Sequence, residues 1–176
     1  DVEGEVTVAE YDSEPEETGA SPGRSLSVTQ IEVPDPDKSA TIRKRVSSER
    51  LEEIDADAED LRINRFNEAE GEWQGLETEA VETTDERVVL EAETPGFSFF
   101  SVSATSEPEA VIDAPSEVDA SEEFTLDATG SSDEYGDIVA YEWTVDGETH
   151  SGETVTTAID AAGDVTVELT VENDAG

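Results

Sequence analysis

The 176-residue chain has no cysteine, no methionine and one histidine, His150. Without cysteine no disulfide can form, so stability must come from packed cores and from the solvent. Thiolate and paired-histidine ligands are missing as well, which excludes zinc and redox-metal centres of the familiar kinds. A nucleophilic triad needs a base. His150 is the sole candidate, and it sits in Asp146-Gly-Glu-Thr-His-Ser-Gly152, predicted as an exposed hairpin tip; no Gly-x-Ser-x-Gly elbow occurs. Paired carboxylates carry no signal either, because with 48 acids any spacing arises by chance. The chain is expected to be no enzyme, and no catalytic, cofactor-binding or metal-ligating residue is assigned.

Basic residues are scarce: nine Lys and Arg stand against 48 Asp and Glu, a formal charge of −39. Such a surface repels nucleic-acid phosphates and anionic lipid alike. No apolar run approaches the roughly 20 residues of a spanning helix, and no signal peptide is present, so this stretch is not membrane-embedded. The missing initial Met predicts a piece of a longer precursor. Asn-x-Ser/Thr sequons are absent, so N-glycans are not expected.

Leu, Ile, Val and Phe are also sparse, 37 residues in all, close to the composition of disordered chains. Two-residue alternation with turn residues between the segments nevertheless predicts folding. Concentrated salt reconciles the two, since the Debye length falls to about 3 Å at 1 M and screens the self-repulsion. Acidity with Arg favoured over Lys, seven to two, is the composition of a halophile's protein. The cations all lie between Arg24 and Arg87, whereas residues 105–176 hold 20 acids, no Lys or Arg, and His150. That break predicts two domains, 1–105 and 109–176, joined by a linker at 106–108.

Within the first, Val2, Val6 and Val8 alternate as an opening strand. Residues 12–25 form a loop. Leu26-Ser-Val-Thr alternates until the apolar parity shifts at Gln30, which predicts a bulge or crossover there. Ala40, Ile42 and Val46 share a face with Lys44, an inward charge of the kind that guards an edge strand. The basic run Arg43-Lys44-Arg45 is read first as edge protection and second as an anion or partner site. Ser47 or Ser48 caps a short helix that faces the sheet with Leu51 and Ile54. Leu61–Phe66 and Glu72–Leu76 flank a five-residue hairpin loop, placing Trp73 in or at the core. Arg87–Ala92 leads through a Pro95-Gly96 turn into Phe97–Ser103. There Phe97 and Phe99 are predicted on one face and Phe100, Val102 and Ala104 on the other, a strand buried on both sides. Six or seven strands and one helix make a β-sandwich.

Leu61-Arg-Ile-Asn-Arg-Phe, Trp73, Leu76-Glu-Thr78 and Glu91-Ala-Glu-Thr-Pro-Gly-Phe-Ser98 resemble the PGF-pre-PGF domain of archaeal, especially haloarchaeal, surface proteins; Lys44 departs from the apolar residue that pattern favours. In the second half, Phe124 and Leu126 alternate, Val139, Tyr141, Trp143 and Val145 share a face, and Val165, Val167, Leu169 and Val171 do likewise. With Asp127-Ala-Thr-Gly-Ser-Ser-Asp133, Gly136-Asp-Ile138, Tyr141-Glu-Trp143 and Gly163–Val171, this half resembles a PKD-type Ig-like domain.

The fold class is therefore all-β, two tandem sandwiches, the second Ig-like. The resemblances imply a non-catalytic structural or interaction segment of a secreted haloarchaeal cell-surface protein. Its partners would be other surface proteins or neighbouring domains of the same parent. One alternative is a glycan-binding accessory module of an extracellular enzyme, which needs exposed rings from Trp73, Tyr11 or Tyr135. Another is a filament or layer subunit that pairs through Val2–Glu10. No cofactor is predicted; calcium is the one ion that Asp133, Glu134 and Asp137 would suit, with plain turn chemistry as the simpler account of those carboxylates.

Overall fold

The computed structural model describes residues 6–11, 13–160 and 162–175. The chain divides into two compact units, the first ending at Thr105 and the second beginning at Ser106.

The first unit contains β1 (Thr7–Tyr11), β2 (Arg24–Glu32), β3 (Ala40–Ser47), α1 (Ser48–Glu52), β4 (Leu61–Asn67), β5 (Glu72–Gly75), β6 (Thr78–Thr83), β7 (Arg87–Thr94) and β8 (Phe99–Ala104). They form a five-stranded sheet, β1-β2-β8-β4-β5, and a three-stranded sheet, β3-β7-β6, antiparallel throughout. Strand β8 occupies the centre of the larger sheet, and every one of its six residues is buried. Phe100, Val102 and Ala104 lie in register with Arg65, Ile63 and Leu61 of β4. They meet the apolar face of the smaller sheet, built from Ile42, Val46, Val88, Leu90 and Ala92. The opposite face of β8 is also covered. Phe99 packs with Val28, Phe66, Tyr11 and Trp73, and Asn64 donates from Nδ2 to Ser101 Oγ at 3.1 Å and Ser103 Oγ at 2.7 Å. Those hydrogen bonds satisfy hydroxyls that burial would otherwise penalise.

The crossover from β7 to β8 carries the chain from one sheet to the other through Pro95-Gly96-Phe97. Phe97 N–H donates to Pro36 O, Thr94 Oγ1 donates to Gly96 O at 2.6 Å, and Arg65 Nε donates to the same carbonyl at 3.2 Å. A Cβ on Gly96 would stand 2.6 Å from Pro36 O, so the close approach requires glycine. Ser47 caps α1 as expected, accepting from Arg50 N–H, and Leu51 and Ile54 are buried.

Four expectations for this unit need correcting. Phe97 precedes β8 and is only half-buried, so the both-sided burial starts at Phe99. Strand β2 runs unbroken through Gln30; its irregularity lies between Ser25 and Ser27, and the parity shift arises because the strand uses both faces. Val6 and Val8 are 50% and 59% exposed rather than core, while Val2 lies outside the described residues. The eighth strand, β6, was not anticipated.

The second unit contains β9 (Glu123–Asp127), β10 (Ile138–Val145), β11 (Glu148–Ser151), β12 (Thr154–Ala158) and β13 (Val167–Asn173). Sheets β11-β10-β13 and β12-β9 enclose Leu126, Ala128, Trp143, Val145, Val155 and Ile159, with Phe124, Tyr141, Val165, Val167 and Leu169 packed around them. Trp143 is fully buried and donates its indole N–H to Gly152 O at 2.9 Å. This is an Ig-like sandwich. Val139 departs from the predicted face: a register shift between Ile138 and Ala140 turns it out to 60% exposure. The opening segment pairs only through bridges Glu109–Ser132 and Asp113–Asp127, and Val111, Ile112 and Val118 stay exposed.

Candidate functional site

The most built polar feature is the turn headed by Asp133. Its Oδ1 accepts from Ser106 Oγ at 3.0 Å, Tyr135 N–H at 3.0 Å and Gly136 N–H at 2.6 Å, while Oδ2 accepts from Asn173 Nδ2 at 2.9 Å. Asn173 also donates to Ser106 O at 2.7 Å, so Ser106, placed by sequence in the linker, is fastened to the end of β13. Burial opposes ionisation of Asp133, but the donations from Asn173, Tyr135, Ser106 and Gly136 outweigh it and hold the carboxyl below the usual aspartate range. Both oxygens thus serve as a loop cap. Asp137 contributes its backbone carbonyl to Asp174 N–H, and Glu134 is exposed. Asp133, Glu134 and Asp137 share the turn that sequence assigned them, with Asp133 in the capping role. Among the described residues no cluster of three or more potential metal ligands forms.

His150 is not at a hairpin tip. It lies within β11 opposite Trp143, on the same face as that buried indole, and its Nε2 is buried with no partner among the described residues. The alternation Glu148-Thr149-His150-Ser151 carries this signal, but a strand so poor in apolar residues is hard to tell from a turn.

The aromatic candidates are largely committed to packing. Tyr135 is buried. Trp73 packs edge-on against Phe66, with centroids 5.4 Å apart, and Tyr11 meets Phe99 in a tilted contact at 5.8 Å and donates to Gln30 at 2.8 Å. The exposed ring platform that glycan binding needs is absent among these three. A groove of about 820 Å³ opens in the second unit over Pro115, Val118, Phe124, Ile159 and Val165. Its walls combine the carboxylates of Glu117, Asp119 and Asp164 and the Ser116 hydroxyl with aliphatic groups.

In the basic run, Arg43 pairs with Glu91 at 2.5 Å on the outer face of the smaller sheet, whereas Lys44 points inward. Strand β3 is an edge strand, as the inward lysine predicted.

With this geometry in hand, comparison with known proteins places the second unit. Residues 105–176 match the PKD-domain family. PKD domains are typically non-catalytic extracellular modules that mediate protein or carbohydrate interactions. A curated protein similar to this chain is collagenase ColA of Clostridium perfringens (strain 13 / Type A), 41% identical over 76 residues. That alignment covers 43% of this chain and 7% of the collagenase, so the chain spans a small fraction of its relative. No solved structure matches. Among the described residues, no helix is long and apolar enough to cross a membrane.

Proposed function

We propose that the chain is a non-catalytic structural and interaction segment of a secreted, cell-surface haloarchaeal protein. In this reading a PGF-pre-PGF-like domain over residues 1–105 is followed by a PKD domain over 109–176. The observation that carries it is the PKD match on a closed Ig-like sandwich whose most elaborate polar feature, the Asp133 turn, is spent on holding the fold. The collagenase similarity supports the same view, since 76 residues is the length of one such module and far short of an enzyme. An acid-rich PKD domain without Lys or Arg stays soluble in molar salt and keeps its neighbours apart, which suits a spacer. Its partners are other surface proteins or adjoining domains of the same parent.

Immunolabelling of intact cells that make the parent protein tests this. Antibodies against the chain should label unpermeabilised cells; labelling that appears only after permeabilisation would refute a surface location.

A further inference from the structure

We infer that β12 is a self-pairing edge, through which two copies of the second unit join antiparallel about a two-fold axis at Thr156. The four sheets present eight edge strands. Strand β3 carries three cations, and β1, β5, β6, β9, β11 and β13 each carry at least one carboxylate. Charge on an edge strand is a device by which a sheet refuses further strands, since pairing would strip the charge of water. Among the described strands, β12, Thr-Val-Thr-Thr-Ala, is the one edge that carries no charge. It lacks the other guards as well: it has no proline, and its register with β9 is unbroken. The other uncharged strand, β8, lies at the centre of its sheet and is paired on both sides.

The backbone specifies the register. Ala128 N–H donates to Glu153 O at 2.9 Å, so Glu153, Val155 and Thr157 spend their peptide groups on β9. Thr154, Thr156 and Ala158 therefore turn theirs to the free edge, and their side chains are exposed. An axis at Thr156 pairs the strand over its full length: Thr154 with Ala158, Val155 with Thr157, and Thr156 with its own mate. The flanking acids stay apart in this register, since Glu153 falls opposite Ile159 and Asp160 opposite Gly152. Thr125 of β9 lies beside Thr156, hydroxyl to hydroxyl at 3.4 Å, so the rung on the axis is a row of threonines across both copies. Cross-strand threonine pairs are favourable. The two-stranded sheets of the two copies become one sheet in the order β9-β12-β12-β9. Two such short strands bury well under the roughly 1,200 Å² of a standard interface, so the dimer is weak and needs high protein concentration. It also needs salt that screens the net charge.

The absence of native cysteine gives a direct test. At this register Thr156 faces its symmetry mate as a hydrogen-bonded pair with Cα atoms about 5.5 Å apart, within disulfide range. Thr154 is an exposed threonine on the same face, but it stands about 14 Å along the strand from its own mate, far beyond that range. Oxidised in molar salt, Thr156→Cys should form covalent dimer about tenfold faster than Thr154→Cys. A mixture of Thr154→Cys and Ala158→Cys chains should give the mixed disulfide in preference to either homodimer, because those two positions face each other across the pair. Thr156→Pro removes an outward N–H and spares the β9–β12 ladder. In sedimentation it should weaken dimerisation of the cysteine-free chain about tenfold, through two symmetric hydrogen bonds lost, with circular dichroism unchanged. Equal crosslinking of Thr154→Cys and Thr156→Cys, or a wild-type chain that sediments as monomer at millimolar concentration in molar salt, would overturn the pairing. The spacer reading does not depend on it, and cell-surface labelling would stand in either case.

Discussion

Lys44 of β3 reaches across the first sandwich and donates a hydrogen bond to Thr29 of β2. Burial disfavours its charged form and lowers its pKa, and the field of Glu10 only partly restores it. Between that lowered value and the unfolded value of about 10.4, the unfolded chain holds a proton that the folded chain has released, so stability rises with pH across this window. Thermal midpoints measured from pH 8 to 11 should show the rise, and Lys44→Met should flatten it. Lys44→Met should also aggregate more readily at β3, having lost its inward charge. An unchanged alkaline profile in the variant would show that Lys44 is not the group responsible.

The two phenylalanines that flank the crossover should differ. Phe99 is 4% exposed within an aromatic cluster, whereas Phe97 is half-buried beside the turn. Phe99→Ala should cost about 3–5 kcal/mol in denaturant unfolding, and Phe97→Ala roughly half of that. Equal costs would mean that the turn residue is as deeply packed as the strand residue.

Asp133 stabilises the PKD domain only while ionised. Its folded pKa lies below the unfolded value of about 3.9, so its contribution is complete above pH 4 and is lost as pH falls through the folded value. Asp133→Asn should cost about 1–3 kcal/mol at pH 7, where charged hydrogen bonds are replaced by weaker or mismatched ones. The variant should converge on the wild type in strong acid, as followed by tryptophan fluorescence; a gap that persists at pH 2 would argue for a cause other than the carboxylate.

Salt should govern folding of the whole chain. With a net charge of −39 and three ion pairs among the described residues, little internal compensation exists. Far-ultraviolet circular dichroism should lose its β signal as salt falls from molar to tens of millimolar. Retention of that signal would show that the acidic surface is not an adaptation to concentrated salt.

The strands that could be read from sequence were those in which one or both faces are apolar. Trp143 with Val145, Phe124 with Leu126, and Phe100 with Val102 and Ala104 all lie where alternation placed them. Strand β6, Thr-Glu-Ala-Val-Glu-Thr, was hidden because it is an exposed edge whose one sizeable apolar residue, Val81, sits at a register shift and is itself exposed. His150 was misplaced for a related reason: β11 gains its place from pairing with β10, not from apolar residues of its own. The turn chemistry of Asp133 was legible from its Gly- and Asp-rich setting. Its bonds to Asn173 and Ser106, 40 and 27 residues away, were not, because they depend on tertiary closure.

The central place of β8 also sets the order in which the first unit can assemble. Strands β1 and β2 form one local pair and β4 and β5 another, but the two become a single sheet only when β8 enters between β2 and β4. Since β8 is the last strand of its unit to leave the ribosome, both pairs must wait with their inner edges unfilled until residue 104 has emerged. Folding of this unit is therefore a late, collective event that closes long loops at once, a topology that favours slow folding. A chain cut short before Phe99 would keep every strand of the β3-β7-β6 sheet but leave the two pairs of the larger sheet with nothing to join them.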